Sequence, residues 1–363
     1  MEHVRQFTRY DPGSTVAALL RVAIEKTIAT DDPLYGRLPP PVRYRATGAI
    51  EAWKRVMEAG RDRGDADFHA ALPTFPLTRL YNEFPRFVGG WGRSDPSELS
   101  DEDMALTHRS LIWQIYHASQ GAMYEPTVAL HRLLDSAWIA DDVPVSMIEL
   151  PAPAICIVPN PEWPGCKQGI RTIVLFSRQG EADRSHYKSL TMATWQEFKD
   201  GGMRVKYLEY PWVDSGKTIQ QVLEDQADTP MSEDEVEADR QHWRLVFDYA
   251  VKLLLYLKIP GAQVYADRAY SNASGEFKGL GQRKRKERLA QIEHLYDRHI
   301  VGPAVLDWEQ ADHIRVDAEL VHHEKRGHWR RPHFKMQPHG PHSSLRKLVF
   351  IGPTIVRPDR IGL

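Results

Sequence analysis

The sequence predicts an α+β fold, and three observations carry that reading. Apolar residues recur at helical spacing up to about Asp142, short β-type runs between turn residues occupy Val145 to Val213, and one long amphipathic helix precedes a basic, β-like C-terminal stretch. The expected architecture is a helical N-terminal region and an antiparallel sheet to which C-terminal strands add, with the long helix packed against it. By residue number, this gives a mainly helical region over 1–143, a meander plus long helix over 144–270, and a basic C-terminal region over 271–363.

Each element has a local reason. Ser14 can cap a helix whose apolar positions Val16, Leu19, Leu20, Ala23 and Ile24 share one face, and Val42 to Met57 repeats that period around Ile50, Trp53 and Val56. Ser100-Asp101-Glu102-Asp103 places a cap and acids at the positive end of a helix dipole, ahead of Met104, Leu111, Ile112, Ile115 and Tyr116. Glu125-Pro126 predicts the start of a further helix, with Pro in its first turn, running through Leu130, Leu133 and Leu134.

Three runs then read as strands: Ala154 to Val158, Ile170 to Phe176 and Arg204 to Leu208. They predict an antiparallel meander, because the first segment that offers a crossover helix is Thr191 to Asp200. Thr218 begins a short helix through Ile219 and Val222. Ser232-Glu233-Asp234-Glu235 is a capping box, and Val236, Trp243, Val246, Phe247, Ala250, Leu253, Leu254 and Leu257 make a broad stripe ending at Pro260-Gly261. Ser271 to Gly281 is Gly/Ser-rich and reads as a mobile connection.

At 363 residues and 42% hydrophobic content, the chain can bury a substantial core. Its start lacks the apolar region of a secretory signal, and its best apolar run, Val251 to Ile259, falls short of a membrane span and is broken by Lys252 and Lys258. The expectation is a soluble cytoplasmic protein with no membrane contact. Cys156 and Cys166 flank a Pro/Gly-rich turn and, without a CxxC pattern, read as ordinary thiols.

Charge is distributed unevenly. The whole chain carries 47 Lys/Arg against 49 Asp/Glu, a net charge of −2, yet Val321 to Leu363 holds nine Lys/Arg, two acids and six histidines. Such asymmetry points to a polyanion at the basic end. A second basic run, Gln282 to Arg288, adds to it, while Glu224 to Asp239 is acidic.

The chemistry-bearing motifs divide as follows. Gly216-Lys217-Thr218 is not a phosphate loop, because Pro211 stands where that motif needs Gly. The C-terminal histidines lack the acids and thiols of a metal site, and neighbours such as His322 and His323 would alternate across a strand; no metal or cofactor is expected. A metal-independent ribonuclease needs an imidazole acid and base plus a cation for the phosphorane, and His328, His333 and Lys347 are the candidates. Arginines and histidines interleaved with Trp329 and Phe334 serve non-catalytic RNA binding equally well.

The stretch Lys325-Arg326-Gly327-His328-Trp329-Arg330 resembles the Arg-Arg-(Gly/Ala)-His-Trp-His signature of a type V-A anti-CRISPR family. A Gly-containing turn at Gly340, a basic pair at Arg346-Lys347 and a strand from Val349 to Pro353 follow in the family's order. Weaker likenesses precede it at Leu150-Pro151, Ile170 to Phe176, Ser215 to Leu223 and Leu253 to Leu257, so that the resemblance covers roughly residues 100–356. Arg330 replaces the signature's second His, and the family's usual Tyr-Trp pair is replaced around Phe334-Lys335.

The family lowers the messenger RNA of the Cas12a effector during translation; for this chain the resemblance implies a mobile-element protein, of a phage or plasmid, that binds a nascent polypeptide and/or RNA to reduce expression of a target such as that effector. The implied partners are RNA or a ribosome–nascent-chain complex, with the N-terminal polypeptide of Cas12a as the segment recognised. The expected nucleic-acid-binding residues are Arg283, Lys284, Arg285, Lys286, Lys325, Arg326, His328, Trp329, Arg330, Arg331, Arg346 and Lys347. The alternatives are the ribonuclease described above and a DNA-binding accessory protein of a plasmid or phage.

Overall fold

A computed structural model describes residues 15–61, 77, 80, 101–182, 185–198, 203–211, 216–225, 233–273, 281–303 and 328–356. The caps expected at Ser14, Ser100 and Ser232 lie outside these residues.

Four helices form one layer: α1 (Thr15–Ile28), α2 (Pro40–Ala46), α3 (Ala49–Arg61) and α4 (Asp101–Ala118). The single period expected from Val42 to Met57 is split between α2 and α3 because Gly48 turns the chain at φ +76. Leu20 and Ile24 of α1, Trp53 and Val56 of α3, and Leu111 and Ile115 of α4 meet in one buried cluster. That cluster closes on Cys156, Val174, Phe176, Ala193 and Trp195, side chains from one face of a large sheet.

The chain continues through β1 (Ala122–Pro126), α5 (Val128–Ser136), β2 (Trp138–Ile139), β3 (Ala154–Ile157), the one-turn α6 (Pro164–Lys167), β4 (Ile170–Ala182), β5 (Ser185–Glu197) and β6 (Met203–Pro211). After α7 (Ile219–Asp225) and α8 (Glu233–Lys258) come β7 (Val264–Arg268), α9 (Gln282–Glu293) and β8 (Asp297–Val301). Strands β9 (His328–Arg330), β10 (His333–His339), β11 (Leu345–Ile351) and β12 (Thr354–Val356) follow. Seven strands make the main sheet, in the order β6-β5-β4-β3-β1-β8-β7.

The fold is α+β, and β3 to β6 form the expected antiparallel meander. Two local readings need correction. Glu125-Pro126 ends a strand instead of starting a helix: β1 lies inside the sheet, between β3 and β8 and parallel to both. The helix begins after it, where the Thr127 hydroxyl accepts from the Leu130 amide at 3.1 Å. Thr191 to Asp200 offers no crossover helix, since Ser185–Glu197 is strand β5. Thr191, Met192, Ala193, Thr194 and Trp195 are all buried, because both faces of β5 are covered, so the alternation that marks a half-buried strand is missing.

The opposite face of the main sheet packs on α8. Trp243, Val246, Phe247, Ala250, Leu253 and Leu254 are buried, as the stripe predicts, against Ile155, Ile173, Leu175, Leu190 and Met192 of the sheet and Leu130 and Leu134 of α5. Of the C-terminal strands, β8 adds to the main sheet, whereas β10 and β11 build a three-stranded sheet with β2, and β9 and β12 pair as a ribbon. Phe334, Met336 and Leu348 of the smaller sheet join the same core as α8. Cys156 and Cys166 are both free thiols.

Two expectations follow. Gly169 takes φ +88, and a Cβ there would stand 2.3 Å from the Glu197 carbonyl oxygen. Gly169→Ala should therefore lower stability by about 1–3 kcal/mol, read as a fall in the urea midpoint. His117 of α4 and His242 of α8 are held near pKa 4, against an ordinary 6.5, chiefly by burial, with Lys206 reinforcing the effect at His242. Between those values the unfolded chain binds protons that the folded chain does not, so stability should fall as pH drops from about 6.5 toward 4. Urea midpoints measured across that window should flatten in a His117→Gln/His242→Gln double variant.

Candidate nucleic-acid interface

The basic C-terminal residues gather around the three-stranded sheet. β10 and β11 are antiparallel, with Phe334 opposite Phe350, Met336 opposite Leu348, and Gln337 opposite Lys347. Cross-strand partners share a face, and successive residues alternate between faces. The buried Phe334 ring meets Phe350 with centroids 4.7 Å apart, and Phe350 meets Tyr256 of α8 at 6.5 Å. This fixes the inner face on α8. The outer face must then carry His333, Lys335, Gln337 and His339 from β10, and Leu345, Lys347, Val349 and Ile351 from β11.

Strand β2 completes that face. Trp138 pairs with His333 in register, and their rings stack at 5.1 Å and 12°. His333 is 1% exposed, while Trp138 above it remains 44% exposed. The imidazole is fixed by two polar contacts: Nδ1 lies 3.2 Å from the Arg331 carbonyl oxygen, and Nε2 lies 3.2 Å from Arg330 Nη2. A carbonyl only accepts and a guanidinium only donates, so the ring carries its proton on Nδ1 and accepts at Nε2. Burial pushes its pKa below the ordinary value, and the cations of Arg330 and Lys335 act in the same direction against the Arg331 carbonyl.

The surface around this stack is cationic. Arg330, Arg331 and Lys347 are exposed, Lys335 is half-buried, and Leu345 is an exposed apolar side chain. An indole face flanked by guanidinium and ammonium groups can stack a base while holding the adjoining phosphates.

The structure divides the expected site residues into groups. Arg330 and His333 meet directly. Lys347 shares their face but sits opposite Gln337, four residues along β10 from His333. That is about 13 Å at the rise of a strand, beyond the reach of two groups acting on one phosphate. Arg346, opposite Pro338, lies on the other face by alternation. His328 and Trp329 lie on β9, opposite Val356 and Ile355 of the ribbon. Lys325 and Arg326 lie outside the described residues, as do His322 and His323.

The second basic run belongs elsewhere. Arg283, Lys284, Arg285 and Lys286 lie on α9, where exposed Arg283 pairs with Glu287 at 3.0 Å. The end of α9 is anchored to the N-terminal layer: Arg45 Nη2 donates to the Glu293 carbonyl at 3.3 Å, and His294 stacks on Tyr35. The end of α9 is thus tied to the helical layer, whereas β10 and β11 rest on α8 at the opposite face of the main sheet. Conversely, Trp138 was absent from the sequence-based set. Its strand has only two residues, and the chemistry it joins lies on β10, so no linear pattern marks it.

Among the described residues, no group of three His, Cys, Asp or Glu is placed to hold a metal ion. No described helix is long and apolar enough to cross a membrane.

No curated protein matches the chain. The crystal structure of AcrVA2 aligns over 85% of this chain and 98% of its own, at 12% identity and a TM-score of 0.46. The model of the AcrVA2-like family, described as the anti-CRISPR type V subtype A2 family, matches residues 124–358, from the middle of β1 to just beyond β12. That span takes in the main sheet, α8 and the whole C-terminal sheet, and by it this chain belongs to the AcrVA2-like anti-CRISPR family.

Proposed function

We propose that this anti-CRISPR protein reduces expression of a target such as the type V-A effector Cas12a, and that the outer face of the β2–β10–β11 sheet binds single-stranded RNA of the message. The observation that carries the RNA contact is the exposed Trp138 indole stacked on His333, which Arg330 contacts, on a face that also carries Lys335 and, farther along, Lys347. Recognition of the emerging effector polypeptide is the complementary part of this reading. It rests on family membership.

Around His333 the arrangement favours binding without cleavage. A general base needs an accessible lone pair, and His333 Nε2 already accepts from Arg330 within a ring that is 1% exposed. Lys347 stands too far along the sheet to stabilise a phosphorane formed beside that imidazole.

Two measurements test the proposal. In fluorescence anisotropy with a single-stranded oligoribonucleotide, Trp138→Ala should weaken binding by about 1–3 kcal/mol, the effect of losing one base–aromatic stack. Lys347→Gln should reduce the slope of log K against log[salt] by about 0.7, one single-strand phosphate contact. Unchanged affinity and slope in both variants would remove RNA from this face. In cells, the steady-state Cas12a transcript should fall when this protein is expressed, and only if the transcript's start codon is intact. Equal loss without the start codon would exclude nascent-chain recognition.

A further inference from the structure

A cleft of about 620 Å³ opens at the carboxyl ends of the parallel strands β1 and β3, where Glu125 and Pro126 end one strand and Val158 to Pro161 follow the other. Gly36 to Pro40, leading into α2, close it from one side, and Ile170 and Arg171 at the start of β4 from another. Crevices at this end of parallel strands are where open α/β sheets hold small ligands, and the volume lies within the roughly 300–1,000 Å³ such sites occupy.

The lining is cationic. Arg37, Arg43, Lys167 and Arg171 line the cleft with a single carboxylate, Glu125. Glu197 stands behind them, 2.7 Å from Arg43 Nη1 and 3.1 Å from Arg171 Nε. Counting both carboxylates against the four cations leaves two positive charges. Glu125 is also engaged, by Arg298 at 2.6 Å and by the Tyr296 hydroxyl at 3.0 Å, so it offers little repulsion to an incoming anion.

The site is built before any ligand arrives. Arg43 is 4% exposed, donating from Nε to the Leu38 carbonyl at 2.7 Å and from Nη2 to the Gly36 carbonyl at 2.9 Å, so its guanidinium is locked in the wall. Beside these charges Pro161 is exposed, and Pro39, Pro40, Pro126 and Pro159, buried in the wall, make the cleft's lining stiff and apolar. Such rings lose no rotamer freedom when a flat group packs on them. Cations at a rim beside a stiff apolar wall match a phosphate joined to a ring.

We propose that this cleft binds a phosphate-bearing nucleotide, either a free mononucleotide or the phosphorylated end of an RNA strand. The phosphate lies among Arg37, Lys167 and Arg171, and the base or ribose packs on the prolines. The site is separate from the outer face of the C-terminal sheet and does not depend on that surface binding RNA.

Isothermal titration of the full chain with AMP, adenosine and inorganic phosphate tests it. AMP should bind saturably, phosphate should compete with it, and adenosine should bind about tenfold or more weakly, as expected when a charge-assisted contact is lost. Lys167→Gln/Arg171→Gln should weaken AMP by a similar factor with an unchanged circular dichroism spectrum, whereas Trp138→Ala should leave AMP affinity intact. An oligoribonucleotide with a 5′ phosphate that competes with AMP, when its dephosphorylated form does not, identifies an RNA end as the ligand; failure of both to compete identifies a free nucleotide. Absence of saturable AMP binding, equal binding of adenosine, or an unchanged Lys167→Gln/Arg171→Gln variant would overturn the proposal.

Discussion

The apolar stripe of α8 is the contact on which both sheets depend. One side of it covers the main sheet through Trp243, Val246, Phe247 and Leu254, and the far end carries Tyr256 onto Phe350 of the smaller sheet. Burying each large side chain of this kind contributes roughly 1.5–3 kcal/mol. From Tyr249 to Tyr256 the helix is so fully covered that even Lys252 is 5% exposed, its ammonium answered by Asp248 at 2.7 Å one turn earlier. The outer face of the smaller sheet is presented to solvent because its inner face has this helix to rest on.

On the other side of the main sheet, charge fastens what apolar packing assembles. Arg109 of α4 bonds Asp31 at 2.6 Å with its guanidinium 5.0 Å above the Trp195 ring, which links the helical layer to β5. Arg43 of α2 reaches Glu197 at the end of the same strand. These groups sit where chain segments distant in sequence must meet. Removing one partner of a buried pair would leave the other without compensation, so such pairs select one docking of the layer more than they add to its stability.

Helices with one clear apolar face were legible in the sequence. The stripe from Trp243 to Leu254, the Leu111 and Ile115 face of α4, and the antiparallel pairing of Ala154–Ile157 with the strand begun at Ile170 stand as their patterns indicate. Central strands were not: β1 ends in Glu-Pro, which imitates a helix start, and β5 is covered on both faces and shows no alternation. The candidate interface was half legible. Its cations and His333 are local in sequence, but Trp138 joins them only through a register between strands far apart in the chain. Spatial separation was equally invisible, since nothing linear says that Arg346 and Lys347 point apart or that α9 is tied to the opposite layer.

The short strand β2 has a consequence for the order in which the molecule matures. Its partner β10 is made only after the main sheet and α8 have emerged. Pairings between distant segments form late because the chain between them must first be ordered. During translation Trp138 therefore waits without its His333 neighbour, and the stacked surface exists only once β10 itself has left the ribosome. A chain truncated before β10 could retain much of its core and still lack that surface, so early termination would separate foldedness from competence.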